Sequence, residues 1–151
     1  IRAAGTLCIE EEQDIVYREA AAPGAPTPPP VALPADPQAS EMVTPDPTLL
    51  FRYSALTSNG HRIHYDLPYA TGEEHYPGLV VHGPLTATLL LEGLYHAHPE
   101  FTVKTYEFRA TAPLFDIAPF TIHGRIEDRH AHLWAVTPEG GLAMQAEAQL
   151  A

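Results

Sequence analysis

Four histidines, His61, His64, His75 and His82, fall within 22 positions on segments that read as loops around the start of one helix. Imidazole is the side chain best suited to give and take protons near neutral pH, so this cluster is where acid/base chemistry would sit. Exposed surface histidines are the bland alternative, since loops carry both kinds. The helix that begins near His82-Gly83-Pro84 adds a second capability. Its first backbone N–H groups lack internal partners and carry the positive end of the helix dipole. A glycine there lets a carbonyl oxygen come close, where it would be polarised and a developing enolate stabilised. A plain hinge between loop and helix is the other reading of Gly83.

Other chemistries find less support. His61 and His64 form an H-x-x-H pair, but no H-E-x-x-H, paired cysteine or carboxylate ligand pattern accompanies it, so no metal is expected. No Gly-rich phosphate loop, nucleophilic serine elbow or reactive-cysteine arrangement occurs. His96 and His98 lie near the helix end, where they favour the dipole or face solvent, and His130 and His132 flank a turn. Trp134, Tyr106 and Phe108 read as core residues rather than a base-stacking platform. Asp66 either orients a histidine or caps a turn, and the turn is the better reading.

The elements that must hold these residues follow from hydrophobic patterning. Leu49 to Leu56 reads as a strand, and Thr57 to Tyr76, punctuated by Gly60, Pro68 and Gly72, as an ordered loop. Proline at the first turn suits a helix opening at Gly83-Pro84. That helix carries Leu85, Ala87, Leu89, Leu90, Leu91 and Leu94, is apolar on almost every face, and so should be buried on several sides. Strands follow around Tyr106–Ala110, Phe120–Glu127, His132–Val136 and Leu142–Leu150, each alternating apolar with polar residues. One greasy helix wrapped by an antiparallel sheet is an α+β hot-dog fold.

Upstream, Thr6 to Glu19 reads as a strand without a partner, and a lone strand is not stable in water. Nine prolines between Pro23 and Pro47 describe an extended spacer. The expected organisation is therefore a terminal strand of a preceding, largely absent domain (1–22), a Pro-rich linker (23–47) and a catalytic domain (48–151). The chain opens on Ile1, which fits residues missing before it.

The 151 residues can bury one sizeable core, and 45 % are hydrophobic. Nineteen acidic against eight basic residues give a formal charge of −11, which disfavours nucleic acid and anionic membranes as partners. The single Cys8 cannot close an internal disulfide and fits a reducing compartment, with the cytosol the default. No apolar run approaches a membrane span and no signal peptide is visible.

Long blocks of the sequence resemble a known family. Thr57 to His64 looks like a divergent form of the enoyl-CoA hydratase 2 motif, in which an aspartate precedes a histidine by five residues; here Asn59 and His64 keep that spacing. The blocks Leu50-Phe51-Arg52-Tyr53-Ser54-Ala55-Leu56-Thr57, Gly60-His61-Arg62-Ile63-His64-Tyr65-Asp66 and Tyr76-Pro77-Gly78-Leu79-Val80-Val81-His82-Gly83-Pro84-Leu85 are similar to the mesaconyl-C4-CoA and itaconyl-CoA hydratases and the mitochondrial-type 3-hydroxyacyl-thioester dehydratases. The resemblance implies a MaoC-like hot dog, commonly one of two in a chain, that hydrates or dehydrates an acyl thioester carried by CoA or acyl carrier protein, without a cofactor. It further implies pairing with another hot-dog domain or as a homodimer. His64 would be the general acid/base, Asn59 would orient water or the substrate hydroxyl, and the Gly83 amide would hold the thioester carbonyl. Asparagine cannot accept a proton as aspartate does, so a second base is missing at this pair. Arg52 and Arg62 are candidates for a substrate carboxylate, with His61 and His82 lining the same site; a structural hydrogen bond is the alternative for Arg52. A hot-dog thioesterase is the competing enzyme, although Glu92 lies about two turns too late along the helix for it. A non-catalytic hot-dog subunit is the competing binding role.

Overall fold

The computed structural model describes residues 1–14 and 31–151. The expected strand from Thr6 shrinks to a small exposed ribbon, in which β1 (Arg2–Ala3) pairs antiparallel with β2 (Thr6–Leu7). Ala4 and Gly5 turn the corner with φ of 48° and 84°, left-handed values that glycine takes without strain. Residues 15–19 of that expected strand and the prolines from 23 to 30 lie outside the described residues.

The 23–47 stretch is not all spacer. Ala39–Val43 forms β3, which lies at the sheet edge and pairs antiparallel with Phe120–Glu127. Pro37 and Pro45 flank it, the positions an edge strand tolerates.

Leu49 to Leu56 is helical, not extended. The helix α1 (Pro47–Thr57) starts on Asp46, whose side chain accepts from Leu49 N at 2.7 Å, and it has proline in its first turn. It buries Leu50 and Ser54, one turn apart, and leaves Phe51 and Leu56 exposed. Its end is set by Ser58 in the left-handed conformation, φ 54°. The following loop is ordered, as expected, and contains a single 3-10 turn (Arg62–His64) and the short α2 (Leu67–Gly72). Asp66 caps α2 through Tyr69 N at 3.2 Å, so the turn-capping reading of this residue holds.

The central helix α3 (Gly83–Ala97) begins at the expected glycine. It lies against β5 (Phe120–Glu127), β6 (His130–Val136) and β7 (Leu142–Leu150). β4 (Val103–Ala110) completes a five-stranded sheet in the order β3-β5-β6-β7-β4. Leu85, Leu90 and Leu94 pack onto the small inward residues Ala135, Ala146 and Ala148 together with Ile122, Leu133 and Met144. Burying each leucine contributes about 1.5–3 kcal/mol. From Met144 onward β7 alternates strictly, with Met144, Ala146, Ala148 and Leu150 inside and Gln145, Glu147 and Gln149 outside, while the expected outward residue Ala143 is buried. Gly93 brings helix and sheet together, since a Cβ there would sit 2.9 Å from Ile122 Cδ1.

The helix is less enclosed than its composition implied: Thr88, Glu92 and Tyr95 are exposed along one side. Trp134 is buried at 2 % exposure outside the helix-facing cluster and stacks on His123, whereas Phe108 on β4 is 39 % exposed rather than core. Among the described residues no helix is long and apolar enough to cross a membrane.

Candidate active site

The strand-like segment leading into α3 organises the site. Val80 N donates to Ile63 O at 3.0 Å and Val81 N to Leu114 O at 2.8 Å. Leu79 N donates to Asp116 Oδ1 at 2.7 Å, while Asp116 N donates back to Leu79 O at 3.0 Å. A bridge between Val80 and Phe115 completes this clamp. It fixes the Val80 carbonyl, which lies 2.7 Å from Nδ1 of His64. A carbonyl oxygen only accepts, so Nδ1 carries the proton and Nε2 keeps the lone pair. His64 is 8 % exposed, and burial pushes its pKa below the ordinary 6.5, with the Val80 carbonyl pulling upward and His61 pushing down.

His64 and the helix start meet. Its ring stacks on the ring of His82, centroids 3.7 Å apart and planes 17° from parallel. His82 is the residue immediately before Gly83 and the N-cap of α3. Its side chain makes no capping bond, so the N–H groups of Gly83 and Leu85 are not taken up by it; Pro84 has none. Nothing lies within 4 Å of the space a Gly83 Cβ would fill. A cleft of about 330 Å³ opens beside Gly83, bounded by Val80, Thr86, Thr111, Leu114 and Met144.

His61 joins the cluster edge-on to His64 at 5.7 Å, on an exposed backbone. His82 is only 1 % exposed, its Nε2 2.8 Å from Ser54 Oγ and its Nδ1 buried without a partner. Burial lowers its pKa from 6.5 to about 4. Asn59 is exposed, and its Oδ1 accepts from His61 N at 3.0 Å, so its carbonyl shapes the turn. Both arginines lie at the surface. Arg62 donates to Asp66 through Nε (3.0 Å) and Nη2 (2.8 Å), above the Tyr69 ring, and Arg52 is exposed on α1. His75 is exposed with φ 59°. His96 faces Glu41 and Glu92 at the surface. Among the described residues no group of three or more His, Cys, Asp or Glu is placed to hold a metal.

Sequence reasoning missed Ser54. A strand would also set it on the face of Leu50, but without bringing that face one helical turn at a time toward the start of α3. The Asp46-Pro47 helix-start signal, followed by apolar residues at 49, 50 and 53, would have put it there.

A five-stranded antiparallel sheet around one central helix, in this strand order, is the hot-dog fold. The R-hydratase PhaJ1 from Pseudomonas aeruginosa shares it with a TM-score of 0.69 at 15 % identity, over 74 % of this chain and 77 % of that one. A family model described as hydroxyacyl-thioester dehydratase type 2 matches residues 1–116, and the chain belongs to that family. It is 55 % identical over 145 residues to the mesaconyl-C(4)-CoA hydratase of Chloroflexus aurantiacus, covering 95 % of this chain and 51 % of that protein. It is 40 % identical over 121 residues to the mitochondrial hydroxyacyl-thioester dehydratase type 2 of Schizosaccharomyces pombe, covering 77 % of this chain and 39 % of that protein. The resemblance read from the three sequence blocks is thereby borne out. The chain spans about half the length, or less, of these curated relatives.

Proposed function

We propose that this chain is the catalytic hot dog of a hydro-lyase that reversibly hydrates an α,β-unsaturated acyl thioester, of the enoyl- or mesaconyl-CoA type, to the 3-hydroxyacyl form. The observation that carries the reading is the His64 imidazole, held by Val80 O so that Nε2 is a base, stacked beside the mouth of α3. In hydration, Nε2 takes a proton from water as its oxygen bonds to C3. Electrons move onto the thioester oxygen, held as an enolate by the Gly83 N–H. The enolate collapses as C2 takes the proton from His64, which ends as it began. Dehydration runs the same steps backward. Asn59, its carbonyl engaged by His61 N, has its amide N–H groups left to orient water or the substrate hydroxyl. Its neutrality leaves His64 to move both protons.

A free carboxylate on the substrate would be met by Arg52, exposed on α1, or by Arg62 after exchange with Asp66. The identity to a mesaconyl-C(4)-CoA hydratase favours such a substrate on CoA, and acyl carrier protein is the other carrier to try. A second hot dog, within a longer chain or from another copy, would cover the exposed side of α3 at Thr88, Glu92 and Tyr95.

The test is to incubate the protein with crotonyl-CoA, mesaconyl-CoA and a saturated acyl-CoA, following loss of enoyl-thioester absorbance and release of free thiol. Hydration without thiol release is expected, falling at least about 10²-fold in His64→Ala. Thiol release would make it a thioesterase, silence with every substrate a non-catalytic partner, and near-normal turnover in His64→Ala would remove the mechanism.

A further inference from the structure

We propose that His82 and Ser54 form a positioning pair for His64: a buried, uncharged ring, tied through Nε2 to Ser54 Oγ, against whose face the reacting imidazole is set. The inference rests on the hydration reading and assigns His82 a role other than touching substrate. At 1 % exposure its ring has no surface to offer a ligand.

The geometry explains what such a pair adds. The bond from His64 Nδ1 to Val80 O fixes one point of the ring and leaves a swing about that point. A flat neighbour at 3.7 Å and 17° removes the swing, so the direction of Nε2 is determined. His82 is itself held twice, by Ser54 Oγ at 2.8 Å and by Tyr53, edge-on at 4.9 Å, both from α1. The pair thus locks α1 to the N-cap of α3.

Proton accounting fixes the state of the pair. If Nε2 carries the hydrogen and donates to Ser54 Oγ, Nδ1 is a bare lone pair. In the other tautomer Ser54 Oγ donates to Nε2 and Nδ1 buries an N–H without an acceptor; the ring is neutral in both. Protonating both nitrogens would strand that N–H and a charge as well, in agreement with a pKa near 4. A neutral His82 lets His64 become imidazolium during turnover, which a cationic ring 3.7 Å away would oppose. The other titratable groups facing the two rings are His61 and Tyr53; Arg62 and Asp66, nearby on the loop, neutralise each other.

The test compares His82→Ala, His82→Phe, Ser54→Ala and the double variant His82→Ala/Ser54→Ala with the wild-type chain. In His82→Ala, kcat for crotonyl-CoA hydration should fall on the order of 10²-fold with KM within about twofold, the signature of a misplaced base. The acid limb of the pH profile should move up as His64 loses its cover. His82→Phe, keeping a flat face, should recover most of kcat. Ser54→Ala should lie between, and the double variant should be no worse than His82→Ala. A rise in KM at constant kcat would make His82 a substrate contact and overturn the proposal. So would an unmoved pH limb with kcat intact. If His82→Ala does not fold, Ser54→Ala decides, and undiminished kcat in it overturns the pair. NMR titration of His64 separates this idea from the reaction itself. A shift toward 6.5 in His82→Ala without turnover in the wild type would sink only the hydration reading. A static His64 titration would sink the pair.

Discussion

In the proposed reaction a histidine that gives Nδ1 to a backbone carbonyl works only while Nε2 is unprotonated, and this sets the pH behaviour expected of His64. Because burial holds its pKa below 6.5, kcat/KM for hydration should be flat at neutral pH and fall as pH drops through that lowered value, read from initial rates across pH 4 to 8 (on the order of the ordinary titration range). His82 adds a stability effect of defined sign. Its folded pKa, about 4, lies below the unfolded 6.5, so the unfolded chain binds more protons between them. Its contribution is complete above the unfolded value and is lost as pH falls toward the folded one. Denaturant midpoints should therefore decline over that window, less steeply in His82→Phe than in wild type. The three histidines of the cluster were legible in the sequence as loop residues around a helix start. Their stacking was not, because ring-to-ring distance depends on how α1 and the Val80 strand pack, which spacing alone does not carry.

The elements show where sequence reading succeeded and where it failed. β5 and β7 and the start of α3 stood out because long alternation and a Gly-Pro opening leave one interpretation. Leu49 to Leu56, helical in α1, suggests a strand because it mixes aromatic and apolar residues over a short run, although Asp46-Pro47 announces a helix. β3 was hidden by its prolines, which flank it instead of breaking it. Removing the cap in Asp46→Ala should destabilise the protein by about 1 kcal/mol in urea unfolding. It should also lower turnover, since α1 carries Ser54. Leu90→Ala, at 1 % exposure under the sheet, should cost about 2–5 kcal/mol and leave the pH profile unchanged.

Across the whole molecule, β4 leaves an eight-residue strand at one sheet edge, with Phe108 partly bare. An open edge of that length recruits a partner or aggregates, so a mass of two chains is expected in sedimentation, reduced by Phe108→Lys. The segment that follows β4 holds a subtler dependency. Gly78 has Asp116 Oδ1 and Ile117 Cγ2 each 2.6 Å from where a Cβ would be, and the clamp they belong to carries the Val80 carbonyl. A methyl group at 78 would push on Asp116 Oδ1, the acceptor of Leu79 N, and so loosen the clamp around the Val80 carbonyl that His64 meets. Selection acting on turnover would consequently police residues 113–119 as strictly as the histidines, though none of their side chains meets His64 in a hydrogen bond. A library randomised there should shed activity before it sheds the fold, whereas the turn at 138–141 should absorb variation freely.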